Sequence, residues 1–504
     1  MPTTLMAAML ALTGCAAVGP DFQRPQTEAP ASWPAAAAHD KGNAQGKDPD
    51  IASAVTTDAP ADVDLQWWQR LGDPVLDALE QDAAAQNLDV RTAMLRIELA
   101  RAQRLAAQGR ELPSVDLSGI AGRSRSSEHG PLSSLGGGGA PQTGDAAAAQ
   151  AAAAPSTIST LYQVGFDATW ELDLWGGVRR RVEGARASED SAEAARRDAL
   201  VSLAAEVART YLSLRAAERQ LHLAQDDLAA QERLAALVES LHESGFVPQS
   251  DAAMQRVQVE AARAQLPGLR QQAASARSQL TMLLALPPGA LDQRLATASN
   301  VDTVPLPPAV SVGLPADLLR RRPDIRRSEA DLHAATAQLG VATSQLFPGV
   351  TLGLFGGFQA QHLADLDDWA SRFLLGGTRV TVPIFQGGQL KAQVRTADAQ
   401  AQQALLAYRK TVLTAFHEVD DAIEAYQEDQ HQTAALWRQQ SEARRAHDLA
   451  LNRWQRGLSS FIEVLQAERT LHQSERQAAQ AQAQSGIALV ALYKALGGGW
   501  RDTN

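Results

Sequence analysis

The sequence predicts a mixed α and β membrane protein that contains one structural unit twice. Three observations lead to this prediction: apolar residues at heptad spacing over long proline-free stretches, four short segments of alternating apolar and polar residues, and motifs that recur at a constant offset. Aromatic residues make up only 5% of the 504 residues, a proportion typical of long helices with narrow apolar stripes. Extended helices are therefore expected to form much of the chain.

Motifs of the first half return in the second half. Asp89 corresponds to Asp324, because Asp-Val-Arg in the first half matches Asp-Ile-Arg in the second at an offset of 235 residues. Farther along, two pairs lie at an offset of 212 residues: Gly245 with Gly457, and Asp251 with Glu463. The offset decreases because the first half has a longer, low-complexity loop over 123–160. Each half is predicted to form helix, strand, loop, strand, very long helix, turn and helix.

Heptad spacing of apolar residues predicts the two very long helices. The positions are Leu200, Val207, Leu214, Leu221 and Leu228 in the first half, and Leu405, Val412, Val419 and Tyr426 in the second. A sustained seven-residue repeat is typical of helices that coil around neighbouring helices. The proline-free stretch 178–244 is long enough for a helix on the order of 100 Å. A soluble coiled-coil scaffold would explain these helices equally well.

Strict alternation predicts strands that span a membrane. No stretch reaches the roughly 18 consecutive apolar residues that a membrane-spanning helix needs. Apolar and polar residues alternate throughout 162–174, and shorter alternation occurs around Val115, Val350 and Val380. Strands of about 9–11 residues with one apolar face can cross a bilayer. Aromatic residues near the strand ends suit the membrane interface: Trp170, Trp175, Phe355, Phe358 and Trp369.

Four strands per chain are too few to close a barrel. Bacterial barrels start at about eight strands, because a spanning sheet cannot leave an unpaired edge in lipid. The barrel must therefore be shared between chains. Two copies would give eight strands and three copies would give twelve, and the residue pattern alone leaves both numbers open.

The N-terminus predicts a lipid anchor. A short apolar run is followed by Leu-Thr-Gly-Cys at 12–15, the pattern at which bacterial lipoproteins are cleaved and then acylated on the cysteine. Cys15 is the single cysteine, and Ala16 after it resembles lipoproteins that are sent to the outer membrane. The segment after it is predicted to be an extended linker, with Trp33 as a docking point on the body of the protein.

Other functional classes find little support in the sequence. A formal net charge of −11 argues against a nucleic-acid partner, because binding phosphates requires a clustered basic excess. His417 and Glu418 lack the second histidine of a zinc-protease helix, and the glycine run 136–139 lacks the lysine of a phosphate-binding loop. We therefore expect no enzyme, no catalytic residue, no metal and no cofactor other than the covalent lipid on Cys15.

Two longer motifs complete a resemblance to a known family. They are LPADLLRRRPDI at 314–325 and LYKALGGGW at 492–500. Together with the lipobox and the paired repeats, they resemble the TolC superfamily and, more narrowly, its NodT-type outer-membrane lipoproteins. The resemblance covers nearly the whole chain, over 15–500. It implies a homotrimer with a shared twelve-stranded outer-membrane β-barrel, a long periplasmic α-helical barrel and an equatorial domain.

The predicted organisation follows the repeats and the resemblance. It comprises a signal peptide over 1–14, a lipidated linker over 15–70, a first helix over 71–112, strands over 113–175 with an extracellular loop at 123–160, long periplasmic helices over 176–285, an equatorial linker over 286–314, a first helix of the second repeat over 315–347, strands over 348–386 with an extracellular loop at 360–377, long periplasmic helices over 387–496, and a tail over 497–504.

The resemblance also implies a function and partners. Such a protein would be the exit duct of a tripartite efflux pump in the outer membrane. It would passively conduct drugs or other toxic small molecules from a periplasmic adaptor protein and a proton-driven inner-membrane pump to the outside, a route to multidrug resistance. The alternative within transport is the outer-membrane channel of a type I protein secretion system. The NodT-like motifs favour small molecules.

The functional residues of a duct are expected at its constriction and at its docking surface. In each half, a glycine turn at Gly245 or Gly457 is followed six residues later by the acid Asp251 or Glu463. By resemblance, the turns are the periplasmic tips and the acids line the closed entrance. A ring of carboxylates there would repel anions and favour cations. The alternative is that each acid stabilises only the start of a helix, with Ser250 as a cap.

Further candidates lie close to the two turns. By resemblance, the turns with Gly245 and Phe246 and with Gly457 and Leu458 are docking sites for the adaptor. Two positions depart from relatives: Ser459 stands where some carry an arginine that holds the gate shut, and Gln466 stands where they carry a second acid. Any latch must therefore differ in this chain. The candidates for it are Arg453, Trp454 and Arg456.

Overall fold

The computed structural model of the protein describes residues 17–37, 55–56, 66–125, 158–296 and 310–498. The chain divides into two compact units. The first comprises 1–23, 100–188 and 332–403, and the second comprises 24–99, 189–331 and 404–504. Each unit contains segments of both sequence repeats, so the repeats are not separate domains. The predicted acylation site Cys15 and the glycine run 136–139 lie outside the described residues.

Helices account for most of the described chain. They are α1 (Pro74–Gln86), α2 (Leu88–Gly109), α3 (Gly177–Glu243), α4 (Gln249–Leu283), α5 (Asp292–Ala296), α6 (Pro315–Arg321), α7 (Pro323–Ser344), α8 (Gln389–Gln455) and α9 (Phe461–Ala495). The strands are β1 (Val55–Thr56), β2 (Ser114–Arg125), β3 (Ile158–Leu172), β4 (Val310–Ser311), β5 (Gly349–Ala360) and β6 (Arg372–Thr381). Within the described ranges, no helix is both long enough and apolar enough to cross a membrane.

Equivalent elements of the two repeats have equal lengths. The helices α3 and α8 contain 67 residues each, α4 and α9 contain 35 each, and α2 and α7 contain 22 each. The heptad residues Val207, Leu214, Val412 and Val419 are all 0% exposed, as expected where long helices pack along their neighbours. The predicted pair of structural repeats is confirmed.

The region predicted as one first helix forms two helices in each repeat. Asn87 separates α1 from α2, because its Oδ1 accepts hydrogen bonds from the backbone N–H groups of Asp89 and Val90 at 2.8 and 3.1 Å and caps α2. In the second repeat, Pro323 separates α6 from α7. A proline keeps the preceding residue out of the helical region, and Arg322 accordingly has φ −67° and ψ 125°.

The four long strands form one antiparallel sheet in the order β2-β3-β5-β6. The strands extend into both regions predicted as loops, since Arg125 pairs with Ile158 and Arg372 pairs with Phe358. The sequence pattern ended earlier because arginines in β2 and the pair Gly376-Gly377 in β6 interrupt the apolar alternation. Strand pairing continues there through the backbone, which does not depend on the side chain.

The two faces of this sheet differ in polarity. One face borders a cavity of about 670 Å³, whose lining includes Ser118, Gln163, Asp167, Thr169, Thr351 and Arg379. The opposite face exposes large apolar side chains: Val115, Leu117, Phe166, Trp170, Leu374 and Val380. The face that borders the cavity is therefore the more polar of the two.

The segment 24–37 packs on the second unit. Trp33 is 1% exposed, and its Nε1 donates a hydrogen bond to the carbonyl oxygen of Gly313 at 2.9 Å. Its ring meets that of Phe416 edge-on, with 6.4 Å between the ring centroids. The docking predicted for Trp33 is confirmed, and it holds the linker against the helices.

Arg322, in the motif at 314–325, joins three helices of the second unit. Its Nη1 donates a hydrogen bond to the carbonyl oxygen of Ala495 at 2.9 Å, and its Nη2 lies 2.7 Å from carboxylate oxygens of both Asp324 and Glu418. Two carboxylates and a carbonyl oxygen together offset the cost of burying a guanidinium. The start of α7 is thereby tied to α8 and to the end of α9.

Candidate functional site

The two turns at the ends of the long helices have the same geometry. Gly245 and Gly457 adopt left-handed backbone conformations, with φ of 76° and 70°. The N–H of Phe246 donates to the carbonyl oxygen of Leu241 at 2.9 Å, and the N–H of Leu458 donates to that of Arg453 at 2.9 Å. This hydrogen bond closes the C-terminus of a helix and requires a residue with positive φ, a conformation that only glycine adopts without strain. The glycines are therefore required by the reversal of the chain itself.

Each predicted acid lies in the first turn of the returning helix. The N–H of Asp251 donates to the carbonyl oxygen of Pro248, and the N–H of Glu463 donates to that of Ser460. Negative charge is favourable at a helix N-terminus. Both acids can therefore stabilise the start of the returning helix. The predicted capping by Ser250 is wrong: Pro248 is the N-cap residue, and the Ser250 hydroxyl donates to Asp251 instead, at 3.2 Å.

A cavity of about 440 Å³ lies between the starts of α4 and α9. Its lining from the first repeat includes Asp251, Met254 and Gln255, and its lining from the second includes Ile462, Gln466 and Arg469. The structure thus brings Asp251 close to residues of the other repeat. Glu463 is not among the lining residues, although it follows Ile462 directly, because the next residue on a helix points about 100° away.

The remaining candidates at the turns differ in exposure. Phe246 and Leu458 are 79% and 66% exposed, so each turn presents an apolar side chain at its tip. Arg453 and Arg456 are exposed, and Trp454 is half-buried. The side chains of these three latch candidates do not line the cavity.

A charged cluster that the sequence patterns did not reveal links the two repeats farther along the helices. Asp227 of α3 lies 3.1 Å from Nη1 of Arg476 and 3.9 Å from Nε2 of His472, both on α9. His472 also contacts Glu468 at 3.8 Å and Glu475 at 3.4 Å on its own helix. The i,i+4 and i,i+3 spacing of these two acids around His472 is the sequence signal that could have identified the cluster.

The charges of the cluster stabilise one another. The nearby carboxylates of Glu468 and Glu475 raise the pKa of His472 to about 9, and His472 in turn lowers the pKa of Glu475. The imidazole is therefore cationic at neutral pH. With Arg476, it places two cations opposite Asp227 of the first repeat.

The described residues include no group of three His, Cys, Asp or Glu side chains placed to hold a metal ion. The features of the site are instead glycine turns, exposed apolar tips and carboxylates at helix starts. The exposed apolar tips can contact another protein, and the carboxylates can contact a passing ion.

Comparison with known proteins decides the family. The model of the family described as outer membrane efflux protein matches residues 79–286 and 314–498. The chain belongs to this family. The two matched segments coincide with the two structural repeats, so both halves carry the family pattern.

Individual outer membrane efflux proteins are similar to this chain over almost its whole length. The pyoverdine export outer membrane protein OpmQ of Pseudomonas putida is 34% identical over 449 residues, which are 89% of this chain and 91% of OpmQ. The outer membrane protein OprJ of Pseudomonas aeruginosa is 31% identical over 500 residues, 98% and 96% of the two chains. The toluene efflux pump outer membrane protein TtgF of Pseudomonas putida is 31% identical over 495 residues.

Solved channels share the fold. The outer-membrane channel OprN matches with a TM-score of 0.80 at 31% identity, covering 96% of this chain and 99% of OprN. The outer membrane protein VceC of Vibrio cholerae matches with a TM-score of 0.75 at 25% identity, covering 88% and 100%. The predicted TolC-like channel fold is confirmed. This outer membrane efflux protein is the outer-membrane channel of an efflux pump, with a periplasmic extension, and its family consists of channel proteins.

The pKa of His472 predicts how the stability of the channel depends on pH. Because the folded state holds the proton more tightly than the unfolded state, the contribution of His472 to the free energy of unfolding is complete below pH 6.5 and is lost as the pH rises to about 9. Wild type should therefore lose more thermal stability between pH 6 and pH 10 than His472→Gln, measured as the unfolding midpoint of the detergent-purified protein.

A matched control is His222→Gln, because His222 pairs with Asp226 on the same exposed face of one helix. This control should follow the wild-type pH dependence. Equal loss of stability in wild type and His472→Gln would contradict the role assigned to the cluster.

Proposed function

We propose that three copies of the chain assemble into one continuous duct across the outer membrane and part of the periplasm. The observation that supports this most directly is the four-stranded sheet, which has an apolar outer face and two unpaired edges, β2 and β6. Unpaired backbone groups are costly in lipid, and closed bacterial barrels start at about eight strands. Three copies supply twelve strands, the number that the TolC-like resemblance implies.

The long helices would continue this duct into the periplasm. Each copy contributes four of them, α3, α4, α8 and α9, so three copies supply twelve helices around one channel. The buried heptad residues provide the packing surfaces between neighbouring helices. In this assembly, the glycine turns form the far end of the helical barrel, where substrate enters.

We infer that the acids at the helix starts line this entrance. Asp251 and Glu463 occupy equivalent positions in the two repeats, so a trimer brings six carboxylates to one rim. Like charges at a narrow opening attract cations and repel anions. Arg453, Trp454 and Arg456 would form the latch of the closed state, since Ser459 and Gln466 cannot provide the pairings proposed for relatives.

The exposed tips suit the docking of a periplasmic adaptor protein, which would connect the duct to an inner-membrane pump. Phe246 and Leu458 each present an apolar side chain beside a glycine turn. Relatives are named for the export of pyoverdine and the efflux of toluene. We propose small molecules of this kind, passively conducted, as the substrate class of the present channel.

A lipid on Cys15 is proposed as an anchor that is additional to the barrel. The protein should incorporate a tagged fatty acid during growth, and Cys15→Ser should not, because the cysteine thiol is the acylated group. The variant should still be found in the outer-membrane fraction, since the strands hold it there. Labelling of Cys15→Ser at the wild-type level would contradict the proposal.

The entrance acids can be tested by conductance. In planar bilayers the wild-type protein should give small, cation-selective currents. Asp251→Asn combined with Glu463→Gln should lower the cation-to-anion permeability ratio by roughly severalfold, because the charges at the narrowest point set ion selectivity. Both substitutions preserve side-chain size, so the helix starts should remain intact.

The matched control has the same change of charge away from the turns. Asp226→Asn combined with Glu442→Gln alters exposed residues of the two longest helices and should leave the selectivity at the wild-type value. Unchanged selectivity in the Asp251 and Glu463 variant would exclude these acids from the constriction. A protein that never conducts would contradict the duct itself.

A further inference from the structure

Among the described residues, three arginines provide all the charge on the apolar face of the four-stranded sheet. Direct strand pairing assigns alternate residues of β2, β3, β5 and β6 to this face. The charged residues among them are Arg123 and Arg125 of β2 and Arg372 of β6. All three lie at one end of the sheet, opposite the end at which α2, α3, α7 and α8 join the strands. The charge on the lipid-facing surface is therefore confined to the extracellular end.

The spacing along β2 places the arginines at the membrane interface. Arg123 follows Val115, at the start of the strand, by eight positions, a distance of about 26 Å along a strand. The apolar band of an outer-membrane barrel is about 25 Å tall. Strands of such barrels are tilted by roughly 35–45°, so this separation corresponds to about 20 Å of height across the membrane. Arg123 and Arg125 therefore lie toward the outer edge of the apolar band, from which their long side chains reach the headgroups of the outer leaflet.

The arginines have no acidic partner in the described part of the chain, and all three are exposed. Arg372 instead lies 3.8 Å from the ring centroid of Trp369, which is 69% exposed. Stacking uses the face of the guanidinium, so its in-plane N–H groups remain available to an acceptor.

The neighbouring hairpin contains the acids Asp365, Asp367 and Asp368. Two of them already have local contacts. Asp365 lies 3.5 Å from His362, and Asp368 accepts a hydrogen bond from the N–H of Ala370. The third acid, Asp367, is exposed. None of the three forms an ion pair with the arginines in the described part of the chain, so the guanidinium groups remain open to an external anion.

Assembly would bring the arginines together. The edge strands of one sheet are β2 and β6, so a shared barrel pairs β6 of each copy with β2 of the next, at a strand spacing of about 4.8 Å. The extracellular ends of these edge strands would then meet, with Arg372 on one strand and the pair Arg123 and Arg125 on the other. Within one chain, three strand spacings, roughly 15 Å, separate Arg372 from β2.

We propose that each seam between subunits binds an outer-leaflet lipid whose phosphate headgroup has a net negative charge and no cation of its own. Three adjacent cations repel one another unless an anion lies between them, and guanidinium groups bind phosphate oxygens through paired N–H donors. Trp369 adds an aromatic ring at headgroup level, a position that such residues favour. The site rests on the trimer of the proposed function, because two subunits contribute to it.

Native mass spectrometry of the full-length protein tests this site. The protein is released from detergent micelles that contain either phosphatidic acid or phosphatidylcholine with the same acyl chains. Phosphatidic acid should be retained at up to one molecule per seam, whereas phosphatidylcholine should not be. The combined variant Arg123→Gln, Arg125→Gln and Arg372→Gln should abolish this preference. Arg372→Gln alone should weaken phosphatidic acid binding about tenfold, the loss expected for one charge-assisted contact.

The control is Arg379→Gln, because Arg379 lies on the same strand but faces the polar cavity. It should bind phosphatidic acid as wild type does. Equal retention of the two lipids, or wild-type binding by Arg372→Gln, would overturn the inference. So would full displacement of the lipid by an equal concentration of inorganic phosphate, since the site would then recognise free phosphate. A trimer without bound phosphatidic acid would leave the proposed function intact, whereas a monomer would overturn the proposed trimer and the seam with it.

Discussion

The hydrogen-bonding requirement of the backbone in lipid is the constraint on which the rest of this structure depends. The sheet β2-β3-β5-β6 is apolar on its outer face but has two edges with unpaired N–H and C=O groups. In the bilayer, these groups can be satisfied only by another strand. This requirement is the basis for the proposed assembly, in which several copies of the chain close one wall. Its outer membrane efflux family and its TolC-like neighbours are consistent with this requirement.

The internal repeat extends the same principle to the helices. The helices α3 and α8 have equal lengths of 67 residues, α4 and α9 have equal lengths of 35, and the turn within each pair has a similar backbone geometry. A protein with unequal repeats would present tips at two levels. Within the chain, the cluster of Asp227, His472 and Arg476 connects the repeats near this end. Charge thus stabilises the helices that the apolar heptads align.

Much of the fold could be predicted from the sequence, because its strongest signals are periodic. The heptads around Val207 and Val412 and the alternation over 162–174 report directly on which side chains are buried. Periodicity did not predict the strand ends and the helix break, because these features do not depend on a pattern of apolar side chains. The extensions of β2 to Arg125 and of β6 to Arg372 depend on backbone pairing, and the break at Asn87 depends on a capping amide that contacts another helix at Leu283.

The functional site was less predictable for a related reason. Gly245 and Gly457 could be recognised because a sharp reversal requires glycine, and Asp251 and Glu463 because they repeat at the same offset. The pairing of Asp227 with α9 joins residues almost 250 positions apart, and no local pattern encodes such a contact. Likewise, the sequence alone did not show that Arg123, Arg125 and Arg372 lie on one face of the sheet, because this follows from the pairing of the strands.

The most direct test of the shared barrel is the mass of the detergent-purified particle, measured by light scattering with the detergent contribution subtracted. A barrel shared by three copies predicts a protein mass of three times that of the mature chain, which is slightly below the 53.7 kDa of the full sequence because residues 1–14 are expected to be removed. These particles should conduct ions when reconstituted. A particle of one chain that conducts ions would contradict the shared barrel, because four strands cannot enclose a pore.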